Sequence, residues 1–304
     1  MIGIVVEYNP FHNGHIRQLN WIKEKFPNEK ITIIMSYKYS QRGERIVLSY
    51  RKRKHLAKKY GVNKIIKLKF RETVQAAHIF AQNALKKLVK VKIDKLVFGS
   101  ESNDCEEMFY LAKLIKNNQE QLNKKIKYYS KIEKLAYPKA YALALKDLSG
   151  KNYLQPNDIL GFEYIKEIVN KNYRIKVYTI KRNIAFHSLE PQTNYASASY
   201  LRTLIQNNQT LNKYSPIKKI KYQDFNQKMY KKFQQNIQNK KYWNKIIKLN
   251  VINEGIENLL LKHVSEQDLN SFLNKTTSKR YTKSRILRII AWIATKQWKK
   301  HYFL

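Results

Sequence analysis

A chain of 304 residues has room for one large domain or two ordinary ones, and a hydrophobic content of 43% supplies a core. No run of about 18 uncharged apolar residues exists, which excludes a membrane-spanning helix, and the single cysteine, Cys105, excludes an intrachain disulfide or a multi-cysteine zinc site. A net charge of +38 favours a polyanionic partner, nucleic acid before a membrane surface, although drift toward Lys, Ile, Asn and Tyr codons would also raise the Lys content.

Ile2 to Val6 is a short β-branched run, the mark of a buried strand. The run is too short for a signal peptide and no basic leader precedes it, so a cytoplasmic protein is expected. Ile16, Leu19, Ile22 and Phe26 then recur at helical spacing. Residues 31–36 (ITIIMS) read as a second strand, and 47–60 as a helix with Gly61 as its C-cap. Residues 62–70 read as a third strand, 73–88 as a helix, and 94–100 as a fourth strand ending in a glycine loop. Further on, 157–170 read as a helix, 173–182 as a strand and 197–207 as a helix. Such alternation implies an α/β fold, a parallel sheet covered by helices on both faces. Past residue 207 the strand signals fade, Gln, Asn and Lys rise, and helical periods take over. Residues 271–297 include an amphipathic helix with Ile286, Ile289, Ile290 and Ile293 on one face. A boundary near 208–215 divides the chain into an α/β domain, 1–208, and a basic, mainly α-helical domain, 209–304.

The junction after the first strand reads VEYNPFHNGH, residues 6–15. A strand, a tight turn and a helix N-terminus form a phosphate site in open α/β sheets, because backbone N–H groups and the positive helix end point at the anion. Asn13 can cap the helix, and Gly14 lets a phosphate approach the backbone. His12 just before the helix and His15 in its first turn can each donate a hydrogen bond to phosphate oxygens, on which charge grows as an α-phosphate is attacked. Two alternatives stand beside this. The spacing also allows metal ligation, though no third ligand lies nearby in sequence, and the pair can be ordinary surface histidines.

HNGH after a first strand resembles the HxGH motif of the nucleotidylyltransferase superfamily, and GIVVEYNPFHNGH (3–15) resembles the tRNA(Met) cytidine acetate ligase family. The likeness continues through QRGE (41–44), FGSE (98–101), PNDILGFEYI (156–165), YTIKR (178–182), ASASYLR (196–202) and SKRYTKSRILR (278–288). The resemblance implies a Rossmann-like nucleotidylyltransferase domain followed by a helical tRNA-binding domain. It implies ATP as substrate, with Mg²⁺ held mainly by the phosphates and no dedicated protein metal site. Acetate attacks the α-phosphate, giving acetyl-adenylate and pyrophosphate. The acetyl group then passes to the exocyclic amine of the wobble cytidine of elongator tRNA(Met), giving N4-acetylcytidine. On this resemblance His12 and His15 are catalytic. ATP contacts fall on Val5, Val6, Glu7, Tyr8, Asn9, Pro10, Phe11, His12, Asn13, Gly14, His15, Ile16, Arg17 and Gln18, and on Gly99, Asn157 and Arg182. Ser197, Ser199 and Arg202 resemble the superfamily's second motif, which grips the β- and γ-phosphates. Asn157 and Ser197 can instead be plain helix caps, and Arg182 a strand-end surface charge.

In the tail, Lys279, Arg280, Lys283, Arg285 and Arg288 form a candidate phosphate-tracking ridge for tRNA, with Arg285 and Arg288 on one helix face. A solvated face beside the isoleucine stripe is the alternative. The chain departs from the family pattern in three places. Tyr37 stands where Gly is usual, Arg45 where Pro is usual, and the third strand ends Lys67-Leu68-Lys69 where Glu-Leu-Pro is usual. All three lie at strand ends, where a small carboxylate would sit, so they bear on acetate more than on ATP. Tyr37 and Tyr39 are candidates to stack on a base, or are packing. Rival functions are a related adenylate-forming tRNA modification with a different small substrate or tRNA, adenylyl transfer to a small metabolite, which leaves the basic tail unexplained, and RNA binding without catalysis, which leaves the histidine motif unexplained.

Overall fold

The computed structural model describes residues 1–151, 158–182, 191 and 193–297. Five parallel strands, β1 (Ile2–Val6), β2 (Ile31–Ser36), β3 (Lys64–Leu68), β4 (Lys95–Ser100) and β5 (Lys176–Lys181), form one sheet in the order β3-β2-β1-β4-β5. The helices of the first part are α1 (Asn13–Lys25), α2 (Tyr50–Lys59), α3 (Phe70–Thr73), α4 (Ala77–Lys90), α5 (Cys105–Asn117), α6 (Gln119–Lys131), α7 (Tyr137–Ser149), α8 (Asp158–Asn170) and α9 (Ala198–Gln206). Those of the tail are α10 (Phe225–Ile237), α11 (Lys240–Ile246), α12 (Ile256–Lys262), α13 (Leu269–Thr276) and α14 (Lys283–Ala294). The strand order reverses between β1 and β4, so the carboxyl ends of these two strands flank the crevice where open α/β sheets take ligands.

Side-chain alternation gives the sheet two apolar faces. Ile2, Ile4 and Val6 of β1 and Val97 of β4 pack with Leu19 and Ile22 of α1 and Ala57 of α2. Leu96 and Phe98 of β4 face the other way, onto Leu85 and Leu88 of α4, Met108 of α5 and Phe162 of α8. The α/β fold and every strand read from the sequence are present. Boundaries shift where turn geometry intervenes. The short α3 takes Phe70–Thr73, so the helix read at 73 begins at Ala77, and Ser49 caps a helix read from 47. The sequence reading assigned nothing between 101 and 156, where α5, α6 and α7 stand. Asp104, the period Met108, Leu111, Ala112, Ile115, and Gly150 were the available signals: Asp104 caps α5 by accepting from Glu107 N, and Gly150, at φ 72, ends α7.

The tail has its own core around Phe233, Ile256, Phe272 and α14. Residues 271–297 are two helices, since a Ser278–Tyr281 turn separates α13 from α14. Only the first turns of α14 are amphipathic: Ile289 to Ala294 are buried without interruption, because α10 packs along it, α13 adds to that cover, and Val74 and Phe70 lie against Trp292. Trp292 donates to Val74 O at 2.8 Å and its ring meets Phe70 at 5.5 Å. Arg45 N donates to Asn226 Oδ1 at 3.1 Å, and Ala136 N to Lys279 O at 2.7 Å. The segment around Leu211, Tyr214 and Ile220 packs instead with Leu201 and Ile205 of α9 and with Leu48. No helix among the described residues is long and apolar enough to cross a membrane.

Candidate active site

The mouth of α1 is organised by its histidines. His12 itself is the N-cap, with extended backbone (φ −147, ψ 172). Its Nδ1 accepts from Gly14 N at 3.1 Å, while His15 Nδ1 accepts from His12 N at 3.2 Å. This corrects the expectation that Asn13 caps the helix: the imidazole nitrogen supplies the acceptor that a short polar side chain usually gives. Asn13 is the first helical residue and its amide donates to Asn194 O at 2.8 Å and Lys213 O at 3.2 Å. The two rings stack at 3.8 Å with 29° between planes. A Cβ on Gly14 would come within 2.9 Å of the His12 ring, so glycine is what lets that ring lie back against the helix start.

This geometry fixes the tautomers. A ring whose Nδ1 accepts must carry its proton on Nε2 when neutral. Burial lowers the His12 pKa to about 3, with Arg182 and Arg202 adding to it. Burial likewise holds His15 well below its ordinary value, with His12 and Arg182 adding to it. Both are therefore neutral Nε2–H donors at physiological pH, each held by a second-nitrogen hydrogen bond.

The mouth opens on a cavity of about 590 Å³ at the β1/β4 switch point. Val5, Val6, Glu7, Tyr8, Asn9, His12, Gly14, His15, Arg17 and Gln18 all line it. Pro10, Phe11, Asn13 and Ile16 do not: Phe11 is fully buried beneath the histidines, meeting Tyr8 at 4.7 Å, and Ile16 packs into the sheet core. Gly99 and Arg182 also line the cavity, and a Cβ on Gly99 would stand 3.2 Å from Arg182 Nε. Arg182 is therefore a cavity residue, and not a strand-end surface charge. Ser197 caps α9 and also lines the cavity. Arg202 lines it too, donating to Asn9 O at 3.0 Å and to Ser199 Oγ at 3.2 Å, while Ser199 lies behind it, outside the wall. Asn157 lies outside the described residues. Its neighbour Asp158 is buried and accepts from Ser100 Oγ (2.7 Å), Glu101 N (2.9 Å) and Ser102 N (3.0 Å). Burial opposes ionisation of this carboxyl, but those hydrogen bonds together outweigh it and hold the pKa below the usual value. Asp158 thus fixes the loop that follows β4.

Several cavity residues carried no assigned role in the sequence. The QRGE loop brings Gln41, Arg42 and Glu44. Glu7 Oε1 accepts from Gln41 N at 2.6 Å, and burial raises its pKa against the pull of that bond. Below them Arg53 is wholly buried, donating to Leu48 O (3.1 Å), Glu7 O (2.6 Å), Ser36 O (2.8 Å) and Tyr37 O. Burial lowers its pKa to about 10, so it stays charged and ties the segments that follow β1 and β2 to one point. His78, Tyr137, Tyr141 and Glu163 complete a further wall.

The proposed basic ridge is divided. Lys279, Arg280 and Lys283 are exposed. Arg285 pairs with Glu254 at 2.7 Å, bonds Asn253 and lies over Tyr281. Arg288 turns into the cavity, beside Thr282 and Ser284. Three residues advance a helix by about 300°, leaving the two side chains about 60° apart, enough to send one to each side of this wall. The expectation that Arg285 and Arg288 share one outward face is corrected accordingly. The departures from the family pattern lie outside the cavity wall, Tyr37 with Lys67 and Arg45 apart from them. Lys67 Nζ lies 4.5 Å over Tyr37, which also meets Tyr50 at 5.3 Å. Arg45 lies 5.3 Å over Tyr39, bridges to it through the backbone, and stands 5.5 Å from Phe225. Tyr39 rests on Phe70 at 5.1 Å. Both tyrosines serve as packing here.

The family model for the HIGH nucleotidyl transferases matches residues 1–302. The tRNA(Met) cytidine acetate ligase of Mycoplasma mobile is 49% identical over 293 residues, 96% of this chain and 97% of that protein. That of Anoxybacillus flavithermus is 33% identical over 323 residues, 98% of this chain and 78% of that protein. Among solved structures, apo Thermotoga maritima TmcAL superposes with a TM-score of 0.85 at 26% identity, covering 97% of this chain and 74% of that one. The same protein bound with alpha-thio ATP superposes with a TM-score of 0.81 at the same identity and coverage. The chain belongs to the tRNA(Met) cytidine acetate ligase family of the HIGH nucleotidyl transferases.

Proposed function

We infer that this protein activates acetate with ATP and acetylates N4 of the wobble cytidine of elongator tRNA(Met). A carboxylate oxygen of acetate bonds to the α-phosphorus. The bond to the bridging oxygen breaks, and pyrophosphate leaves with the electron pair. The cytidine N4 lone pair then bonds to the acetyl carbonyl carbon of the adenylate. AMP leaves with the electrons of the cleaved C–O bond, and N4 gives up a proton. The observation that carries this reading is the stacked pair of imidazoles at the mouth of the cavity, each accepting a backbone N–H at Nδ1 and so keeping its proton, when neutral, on Nε2. Fixed donors of that kind stabilise charge as it grows on the phosphate oxygens, without moving during the reaction. Arg182, Arg202 and the two helix N-termini add positive potential on the same side.

The division into an ATP-binding unit, 1–208, and a tRNA-binding unit, 209–304, accompanies this reading. Exposed Lys279, Arg280 and Lys283 supply phosphate contacts for the RNA. Mg²⁺ as the partner of ATP would be held by phosphate oxygens, since among the described residues no group of three His, Cys, Asp or Glu stands ready to hold a metal. The packing of Tyr37, Lys67 and Arg45 outside the cavity wall leaves acetate as the preferred acid. Purified protein with ATP, acetate and tRNA(Met) should add one acetyl group at the wobble cytidine, read by nucleoside mass spectrometry. A different added mass, or a different nucleoside, would replace the acid or the tRNA in this reading. Pyrophosphate release with a small metabolite and no RNA would favour the rival metabolite transferase.

A further inference from the structure

We propose that Arg288 of the tail helix α14 holds the carboxylate of the acid that is adenylated, so that the helical tail supplies part of the small-substrate site. This rests on the acetate-activating reading above. The side chain is half-buried, lines the cavity, and makes no hydrogen bond or ion pair among the described residues. Among the other cavity-side cations, Arg202 spans Asn9 O and Ser199 Oγ, and Arg17 donates to Lys181 O at 3.1 Å. A guanidinium withdrawn from water without a partner is unfavourable unless an anion arrives. Burial, with Arg285 and Arg42 nearby, lowers the Arg288 pKa only to about 10, so the group remains a cation.

The position is held rigidly. Gly43 of the QRGE loop has φ +92, and a Cβ there would lie 2.7 Å from Leu287 O and 2.9 Å from Arg288 N and Cα. Loop backbone thus sits directly on helix backbone at Arg288, and only glycine permits it. Trp292, one turn on, is fastened to Val74 O.

Three features select a small carboxylate. The triphosphate end of the cavity has its own donors on α1, α9 and the end of β5, whereas Arg288 enters from α14 and the QRGE loop. RNA phosphates are met outside by Lys279, Arg280 and Lys283, which are exposed. The same cavity is lined by His78, whose pKa is lowered by burial and also by Lys166 and Arg288 against the opposing pull of Glu163, by Glu163 itself, which pairs with Lys166 at 2.8 Å, and by Tyr137, Tyr141 and Leu145, apolar surface suited to a methyl group. A planar fork and a carboxylate match in geometry.

The test is acetate-dependent ATP–pyrophosphate exchange, with and without tRNA(Met), in the full chain. Arg288→Ala should raise the KM for acetate roughly ten- to a hundredfold, as expected for loss of a charged hydrogen bond. The KM for ATP should stay within about twofold, and Arg288→Lys should recover part of the loss. Added guanidinium ion should restore acetate use in the Ala variant. An unchanged KM for acetate overturns the proposal. So does a loss confined to the KM for tRNA, which would make Arg288 an RNA contact, and so does an equal rise for ATP and acetate with lowered thermal stability, which would make it structural. Wild-type protein without acetate-dependent exchange in either condition overturns the acetate-activating reading itself.

Discussion

The α1 mouth and the α14 wall of the cavity are built in opposite ways. At the mouth, ten of the lining residues come from one stretch, Val5 to Gln18, and each histidine is oriented by a backbone group no more than three residues away. The α14 wall joins residues from near 42, 78, 137, 163 and 288, and its orientation depends on contacts such as Gly43 against Leu287. Local construction gives fixed donors whose chemistry is independent of the tail. Distant construction makes substrate capture depend on how the tail is seated. Variants on the two sides should therefore fail differently.

The largest effect is expected at the mouth. On the proposed role of His15 as a phosphate donor, His15→Ala should cut acetyl-adenylate formation about 100- to 1,000-fold, near 3 kcal/mol in the transition state. Binding of tRNA, measured by filter retention, should change by less than about twofold. Equal loss of both would show that the residue supports the fold, and the contrast between the two walls would disappear.

Next comes the seat of the tail. Gly43→Ala strains a left-handed backbone and pushes against α14, so it should cost about 1–3 kcal/mol of stability in urea denaturation. It should also raise the KM for acetate, in the same direction as Arg288→Ala, while the KM for ATP moves little. A variant that loses stability but keeps its acetate KM would separate the loop from the acid site.

A smaller effect is expected outside. Replacing Lys279, Arg280 and Lys283 by Ala should weaken tRNA binding most at low salt. The slope of log affinity against log salt should become shallower by about 0.7–0.9 for each RNA phosphate that these side chains neutralise. Exchange without tRNA should not change. An unaltered slope would remove these residues from the RNA surface.

The same contrast explains what the sequence made legible. Strands and the HNGH mouth depend on neighbours in the chain, so periodicity and a short motif suffice to find them. Arg53 lies among Arg51, Lys52 and Lys54, and nothing local marks it, yet it is fully buried while those three are exposed. Its role comes from the ends of β1 and β2 meeting over α2. Arg288 was visible as a basic residue but was turned the wrong way, because i,i+3 spacing says which residues are neighbours on a helix and not which one meets a distant part of the chain. The 101–156 region escaped for a different reason. Its apolar positions follow a helical period, but Lys and Asn so dilute the signal that only the caps at Asp104 and Gly150 stand out.

The subtlest test concerns protons at the mouth. Unfolded histidines bind protons below about pH 6.5, whereas folded His12 does so only near pH 3 and His15 well below its ordinary value. The unfolded chain therefore binds more protons as pH falls through 6.5, and stability is lost in that direction. Each buried imidazole contributes a slope of at most about 1.4 kcal/mol per pH unit across that window. His12→Asn keeps a good N-cap acceptor while removing one titrating group, so its urea midpoint should fall less between pH 7 and pH 5 than that of the parent chain. Nitrogen NMR of the free protein should find both rings protonated on Nε2 alone and unchanged from pH 8 to pH 5.5. An imidazolium at pH 6 on either ring would mean that the mouth works as a charged clamp. The division between fixed neutral donors on one side and a cation awaiting its anion on the other would then fail at its first member.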